Sequence, residues 1–223
     1  MAEQTNPTHE APRPRVELNG QAPDFKANTT HGEIQFSTWQ PGKWKILFSH
    51  PADFTPVCTT EFVQFAKRYD DFEKRNVALI GNSIDSIYAH IAWTRNIEEA
   101  MGVQIKFPVI ADLDQKVAQL YGMVHAASSV TATVRCVYFI DPKNVVRAMI
   151  YYPLNIGRNF DEILRVVDAL QAADKTGLAC PADWKPGEEQ IVPAPTTSKA
   201  AAERVHDKSV NVKQWYLATK KPG

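Results

Sequence analysis

Blocks of apolar and polar residues along the chain predict an alternating order of strands and helices. Short apolar runs predict buried strands, and apolar residues that recur at helical spacing predict helices with one buried face. The predicted strands are 45–48, 76–81, 107–111, 131–141 and 145–152. The predicted helices are 55–72, 85–100, 114–121 and 159–173. The last two strands join across Pro142-Lys143-Asn144, whose composition suits a tight turn and predicts a hairpin.

This order of elements predicts a mixed sheet with helices on both faces, because right-handed crossovers connect strands of one sheet. It is the arrangement of a thioredoxin-like α/β domain, which we expect to span residues 14–173. Within helix 85–100, the expected core positions are Ile87, Ile91 and Ile97.

The two ends of the chain differ from this domain in composition. Residues 1–13 are polar and proline-bearing and are predicted to be disordered. After residue 173, several prolines interrupt regular structure. Segment 174–223 is therefore predicted to be an extended C-terminal arm that packs on the main domain or on another subunit.

Composition and charge exclude several classes of protein. Lys+Arg and Asp+Glu both number 25 and no basic run stands out, so we expect neither nucleic acid nor a membrane surface as a partner. No stretch approaches the roughly 18 apolar residues of a membrane span, and the polar N-terminus lacks the apolar core of a secretory signal. Three scattered cysteines, Cys58, Cys136 and Cys180, fit neither a disulfide scaffold nor a zinc site. We therefore expect no metal and a reducing compartment, by default the cytoplasm.

Cys58 is the candidate nucleophile because of where its predicted helix begins. Thr55 suits the N-cap and Pro56 suits the first helical position, so Cys58 falls in the first turn. There the helix dipole and unpaired backbone N–H groups favour a thiolate, which is the reactive form of cysteine. From these residues alone, a buried structural cysteine remains an equal alternative.

The segment around Cys58 also carries a resemblance to a known family. FSHPADFTPVCTTEF, residues 48–62, resembles the peroxidatic motif of the peroxiredoxins of the AhpC/TSA superfamily, including Pro51, Thr55 and Cys58. The histidine before the proline and the PVCTTE at the cysteine resemble the one-cysteine subfamily. Similarity continues in SIYAHIAWTRNI (86–97), VRCVYFIDP (134–142), YYPLNIGRNFDEILRVVDALQ (151–171) and PADWKPGEE (181–189).

This resemblance implies a thioredoxin-like fold and an antioxidant enzyme of cell redox homeostasis. The implied activity is that of a thiol-dependent peroxidase, which reduces hydrogen peroxide and organic hydroperoxides through a sulfenic acid on Cys58. The sulfur carries the redox change, so no cofactor is expected. The implied partners are the peroxide, an external thiol reductant and a second copy of the chain, as a homodimer or as a decamer built from dimers.

Residues on the loop and on a later strand are expected to act with Cys58. Pro51 holds the loop rigid, and the Thr55 hydroxyl is placed to hydrogen-bond a peroxide oxygen. Arg135 lies in an apolar strand pattern, where a guanidinium needs an anionic partner or a cleft. It matches the family arginine that holds the thiolate and polarises the peroxide; a core salt bridge with Glu61 or another carboxylate is the alternative.

Other candidates have a functional and a structural interpretation. Arg158 matches a second family arginine near the site, or is a surface charge before a helix. Glu61 orients one or both arginines, or is a helix-surface carboxylate. His50 matches the subfamily's pocket histidine, or is structural. His90 and His125 are predicted to be structural, because no ligand spacing joins them.

The remaining cysteines leave the catalytic cycle open. Cys136 points to the opposite face of its strand from Arg135 and is predicted to be inert core. Cys180, before Pro181, occupies a position where the one-cysteine subfamily usually lacks cysteine, so a two-cysteine cycle with Cys180 as resolving thiol is an alternative. A holdase or scaffold role of the oligomer is another. A thioredoxin-like disulfide oxidoreductase is disfavoured, because Thr55 stands where a Cys-x-x-Cys pair needs its first cysteine.

Overall fold

The protein is described by a computed structural model over residues 16–221, so the prediction of disorder for residues 1–13 lies outside the described residues. Helices and strands follow one another in the predicted alternating order, with additions at both ends. In chain order they are β1 Lys26–Thr29, β2 Gly32–Gln35, β3 Trp44–Ser49, α1 Pro56–Lys67, α2 Tyr69–Glu73, β4 Val77–Ser83, α3 Ile87–Met101, β5 Val109–Ala111, α4 Lys116–Leu120, β6 Arg135–Ile140, β7 Val146–Tyr152, α5 Phe160–Thr176, β8 Gln190–Val192, α6 Ser198–Arg204, β9 Asn211–Gln214 and β10 Leu217–Lys220.

The centre of the molecule is a seven-stranded mixed sheet in the order β2-β1-β5-β4-β3-β6-β7. Strands β3, β4 and β5 run parallel, whereas β6 pairs antiparallel with β3 and β7 antiparallel with β6. The predicted thioredoxin-like mixed sheet is thus confirmed. The hairpin β1–β2 was not predicted, because its sequence, KANTTHGEIQ, has too few apolar residues to show a strand period.

Two hydrophobic clusters cover the two faces of the sheet. Strand β3 shows the alternation, since Ile46 and Phe48 join one cluster and Leu47 joins the other. Helices α1, α2, α3 and α5 pack on the first face. On the second face, α4 packs together with the stacked rings of Phe25 and Phe36. The expectation of helices on both faces is therefore confirmed.

The helices differ in detail from the predicted ones. The predicted helix 55–72 is divided into α1 and α2 at Arg68, which has φ −99° and ψ 6°. In α3 the expectation that Ile91 faces the core is wrong, because its side chain is 38% exposed. The buried stripe runs through His90, Trp93 and Ile97. Ile91 is two residues from Trp93, which is about 200° around the helix and hence the opposite side.

The C-terminal arm has regular structure that the sequence analysis did not predict. After α5, strands β8, β10 and β9 form a three-stranded antiparallel sheet, and α6 lies between β8 and β9. Trp184, Gln190 and Ala218 are buried. The strands are too short to give a hydrophobic period in the sequence. Across residues 16–221, every helix is too short or too polar to cross a membrane.

Candidate active site

Cys58 lies in the first turn of α1, directly after the loop that leaves β3. Thr55 is the N-cap residue by backbone position and Pro56 is the first helical residue, as the sequence predicts. The Thr55 side chain, however, makes no capping hydrogen bond; its Oγ1 donates to the Ala52 carbonyl at 2.8 Å and tightens the loop. Cys58 is fully buried within the first-face cluster.

The guanidinium of Arg135, on β6, contacts the thiol of Cys58. Arg135 Nη1 donates to Cys58 Sγ at 3.3 Å and to Glu61 Oε2 at 2.8 Å. Its Nε and Nη2 both donate to the carbonyl of Leu154, at 3.0 and 2.7 Å. These four hydrogen bonds hold the planar group in one orientation, with one nitrogen shared between the sulfur and a carboxylate.

Glu61, one turn after Cys58, binds both candidate arginines. Arg158 donates to it from Nη2 at 2.6 Å, from Nε at 3.0 Å and from its backbone N–H at 2.9 Å. Burial opposes ionisation of Glu61, but the charges and hydrogen bonds of Arg158 and Arg135 hold its pKa below the usual range. The surface-carboxylate and surface-charge alternatives for Glu61 and Arg158 are wrong, because both side chains are buried.

The loop side of the site contains a buried His-Asp-His cluster. His50 Nε2 lies 2.8 Å from Asp53 Oδ1, and His90 Nδ1 lies 2.7 Å from Asp53 Oδ2. All three side chains are buried. Asp53 was not predicted as a site residue, and His90 was predicted to be structural. His50 and His90 are 40 positions apart in the sequence, which concealed the contact; it forms where β3 and α3 meet the loop.

The other candidates lie apart from these contacts. Pro51 begins the loop and is half-buried. His125 is exposed and stacks on Tyr151. Cys136 belongs to the second-face cluster, and burial raises its pKa to about 11. Cys180, in the C-terminal arm, is half-buried, and its sulfur donates to the Ala169 carbonyl at 3.4 Å.

Fold and site together define a thiol-based enzyme. Its cysteine lies at the start of a helix, and an arginine donates a hydrogen bond to the sulfur. The AhpC/TSA family model matches residues 18–149, and the C-terminal domain of 1-Cys peroxiredoxin matches residues 169–208. A peroxiredoxin of Aquifex aeolicus is 52% identical over 214 residues, which cover 92% of this chain and 96% of that protein.

Solved structures show the same similarity. A yeast mitochondrial 1-Cys peroxiredoxin superposes with a TM-score of 0.83 at 41% identity and covers 93% of this chain and 100% of its own. A mutant of peroxiredoxin 6 of Arenicola marina gives a TM-score of 0.81 at 35% identity, with 93% of this chain and 99% of its own covered. The chain belongs to the AhpC/TSA family and is a peroxiredoxin, a thiol-dependent peroxidase.

Proposed function

We propose that Cys58 is the nucleophile of this peroxidase and that its thiolate attacks the terminal oxygen of a hydroperoxide. The new S–O bond forms as the O–O bond breaks, giving the sulfenic acid of Cys58 and an alkoxide or hydroxide. The leaving oxygen takes a proton from water. The observation that carries this proposal is the 3.3 Å hydrogen bond from Arg135 to Cys58 Sγ. A cationic donor favours the thiolate over the thiol.

The other site residues would act on charge and orientation. Arg135 also stabilises negative charge that develops on the peroxide oxygens. Glu61 contacts no substrate; it positions both guanidiniums by hydrogen bonds from Arg135 and Arg158. Pro51 and Thr55 shape the loop, and the Thr55 hydroxyl becomes a donor to a bound oxygen when it leaves the Ala52 carbonyl.

An external thiol is the proposed reductant of the sulfenic acid. The similar yeast 1-Cys peroxiredoxin is described with a thiol resolving mechanism that uses glutathione/thioredoxin systems. Cys180 is proposed to lie outside the cycle, since its sulfur is engaged by the Ala169 carbonyl and by Gln190 Nε2, each at 3.4 Å. Residues 14–173 form the proposed peroxidase domain, and 174–223 form the extension that packs on it or on a partner subunit.

A homodimer is the proposed assembly, with a decamer built from dimers as the alternative. Strand β7 ends the order of the seven-stranded sheet, so its outer edge has no strand partner within residues 16–221. Such an edge is a template for a strand from another chain. We further propose an antioxidant role in the cytoplasm, in line with three free cysteines in the described structure.

A single-turnover reaction tests the proposed function. Reduced wild-type protein, Cys58→Ser and Cys180→Ser are each mixed with one equivalent of hydroperoxide, and peroxide loss and intact mass are recorded. We expect wild type and Cys180→Ser to consume the peroxide and gain oxygen, whereas Cys58→Ser consumes none. A wild-type product that has lost two hydrogens and vanishes in Cys180→Ser would instead establish a two-cysteine cycle. Equal consumption by Cys58→Ser would exclude Cys58 as the nucleophile.

A further inference from the structure

The buried cluster of His50, Asp53 and His90 joins three elements of the fold. His50 directly follows β3, Asp53 lies in the loop before α1, and His90 lies in the first turn of α3. Each side chain offers one nitrogen or oxygen atom, and these three atoms all lie within 4.8 Å of one another. Two imidazoles and a carboxylate are a donor set that suits divalent transition metals, zinc among them.

The ring of His90 has the orientation of a metal ligand. Its Nε2 lies 3.0 Å from the carbonyl oxygen of Ile110, which can only accept, so Nε2 carries a hydrogen. Metal-binding histidines usually donate one ring nitrogen to such a carbonyl, which turns the other nitrogen toward the ion. In His90 that other nitrogen is Nδ1, which lies 2.7 Å from Asp53 Oδ2. A proton joins these two atoms in a hydrogen bond, and a metal ion competes for the same lone pairs.

The charges around the cluster favour a dication. Asp85, which is half-buried, accepts from the Asp53 backbone N–H at 3.1 Å and from Ser83 Oγ at 2.6 Å. Two carboxylates thus belong to one small region, and within residues 16–221 neither forms an ion pair with a lysine or an arginine. Asp53 pairs only with the two histidines of the cluster. Because carboxylates removed from water need a cationic partner or a metal, a divalent ion would supply the missing positive charge.

The separations within the cluster fit zinc after small movements. Zinc binds imidazole nitrogen at about 2.0–2.1 Å, so two tetrahedral ligand atoms lie about 3.4 Å apart. The contacts of Asp53 with His50, at 2.8 Å, and with His90, at 2.7 Å, would widen, and a separation of up to 4.8 Å would shorten. Asp53 can follow because it lies in a loop, next to Phe54, which is 58% exposed. The same position gives an ion a short path from solvent.

We propose that His50 Nε2, His90 Nδ1 and the Asp53 carboxylate bind one zinc ion, with one coordination position left for water. The ion replaces the hydrogens that the two rings share with Asp53. Asp85 is a positioning residue, because it holds the backbone of Asp53, and the Ile110 carbonyl positions the ring of His90. The bound ion connects the loop before α1 to α3.

This site differs in kind from the one that the cysteine count excludes. Three scattered cysteines predict that no zinc–thiolate site is present, whereas every proposed ligand atom here is nitrogen or oxygen. Asp53 is 3 positions from His50 and 37 from His90, so only the fold brings the three ligands together. The inference does not depend on the proposed role of Cys58.

Zinc titration of the reduced, chelator-treated protein tests the proposal. Wild type and the double variant Cys58→Ser/Cys180→Ser are titrated with Zn²⁺ by calorimetry, because thiols also bind zinc. We expect one zinc ion per chain in both proteins, and the melting temperature of both to rise with zinc. Mg²⁺, which prefers oxygen ligands, should not bind. Absence of zinc binding, its loss in the double variant or equal binding of Mg²⁺ would each overturn the proposal.

Removal of one ligand should weaken zinc binding strongly. His90→Gln is compared with His125→Gln, the matched control at an exposed histidine. We expect the Kd for zinc to rise about 100-fold or more in His90→Gln and to stay within about two-fold in His125→Gln. Asp85→Asn, which removes a charge but no ligand, should raise the Kd about ten-fold. Equal Kd values in wild type and His90→Gln would contradict the assignment of the ligands.

X-ray absorption at the zinc edge gives an independent result on wild-type protein. It keeps the proposal testable if circular dichroism shows that His90→Gln is not folded. We expect nitrogen and oxygen neighbours at about 2.0–2.1 Å, with the scattering of imidazole rings, whereas sulfur at about 2.3 Å would overturn the site. Oxidation of Cys58 by hydroperoxide in the metal-free protein is measured separately, so this inference and the proposed function fail or stand independently.

Discussion

Two buried thiols in this protein have opposite environments. Cys58 and Cys136 are both 0% exposed, so burial alone does not distinguish them. Cys58 lies at a helix start and receives a hydrogen bond from Arg135. Cys136 lies in a strand, its sulfur lies 3.0 Å from the hydroxyl of Ser49, and burial raises its pKa to about 11. The two thiols therefore differ in the partner of the sulfur and not in burial, and this difference separates the proposed nucleophile Cys58 from Cys136.

The alternation of β6 creates this difference with two adjacent residues. Arg135 points to the first face of the sheet and Cys136 to the second, because successive side chains of a strand alternate. Arg158 donates to the backbone carbonyl of Cys136 at 3.2 Å, and its charge lowers the pKa of that thiol. The effect of burial is larger, so the thiol form of Cys136 persists at neutral pH.

Replacement of each cysteine by serine should give the largest difference in peroxidase activity between the two positions. We expect Cys58→Ser to lose peroxidase activity by about 10³-fold or more, because a hydroxyl is a poor nucleophile without a base. Cys136→Ser should keep the wild-type rate within two-fold. Peroxide consumption with an excess of dithiothreitol as reductant measures both. Loss of activity in Cys136→Ser with retained structure would remove the distinction between the two thiols.

Replacement of the guanidinium at Cys58 by an ammonium group should give the next largest effect. We expect Arg135→Lys to slow oxidation of Cys58 by about 10²-fold, since lysine has no planar fork to bind sulfur, carboxylate and carbonyl together. Arg165→Lys is the matched control, because Arg165 pairs with Glu162 at the surface. Stopped-flow measurement of peroxide reduction gives both rates, and equal rates would show that the planar guanidinium of Arg135 is not required for oxidation of Cys58.

The carboxylate between the arginines is expected to affect stability as well as rate. Glu61→Gln leaves two buried guanidiniums without their anion and should lower the free energy of unfolding at pH 7 by about 3 kcal/mol. The depressed pKa of Glu61 means that its contribution is present above the unfolded-state value of about 4.3 and is lost as pH falls through the folded-state value.

Urea unfolding from pH 7 down to about pH 3, below the unfolded-state pKa of Glu61, measures this contribution. The fall in stability toward acid should be shallower in Glu61→Gln than in wild type, since glutamine takes up no proton. Glu162→Gln, at a half-exposed ion pair, should cost less than about 1 kcal/mol. If Glu61→Gln and Glu162→Gln have equal stability, the arginines do not depend on Glu61.

The smallest expected effect concerns the polar partner of Cys136. Ser49 Oγ donates to the Val134 carbonyl at 2.5 Å and accepts from Cys136 N–H at 3.3 Å, so Ser49→Ala should cost about 1–2 kcal/mol in stability. Peroxidase activity should stay within two-fold, because Ser49 contacts Cys136, which the proposed reaction does not use. Thermal unfolding and the peroxidase assay on one preparation check both. A large loss of rate would show that Ser49 affects the reaction at Cys58 across the sheet.

The sequence predicts the centre of this structure better than its periphery. Thr55 and Pro56 indicate the start of α1 by local backbone preference, and Arg135 stands out because a charge inside an apolar strand needs a partner. The hydrogen bond of Asp53 to His90 spans 37 residues, and no local pattern signals it. The strands of the C-terminal arm were missed because three or four residues are too few for a period.

The most direct test of the difference between the two thiols maps oxygen in the wild-type protein. Reduced protein is mixed with one equivalent of hydroperoxide, sulfenic acid is trapped with a cyclic diketone, and digested peptides are analysed by mass spectrometry. We expect the trapped product on the peptide of Cys58 and unmodified thiol on the peptide of Cys136. Comparable modification of both cysteines in the folded protein would contradict it, because the partner of the sulfur would then not decide reactivity.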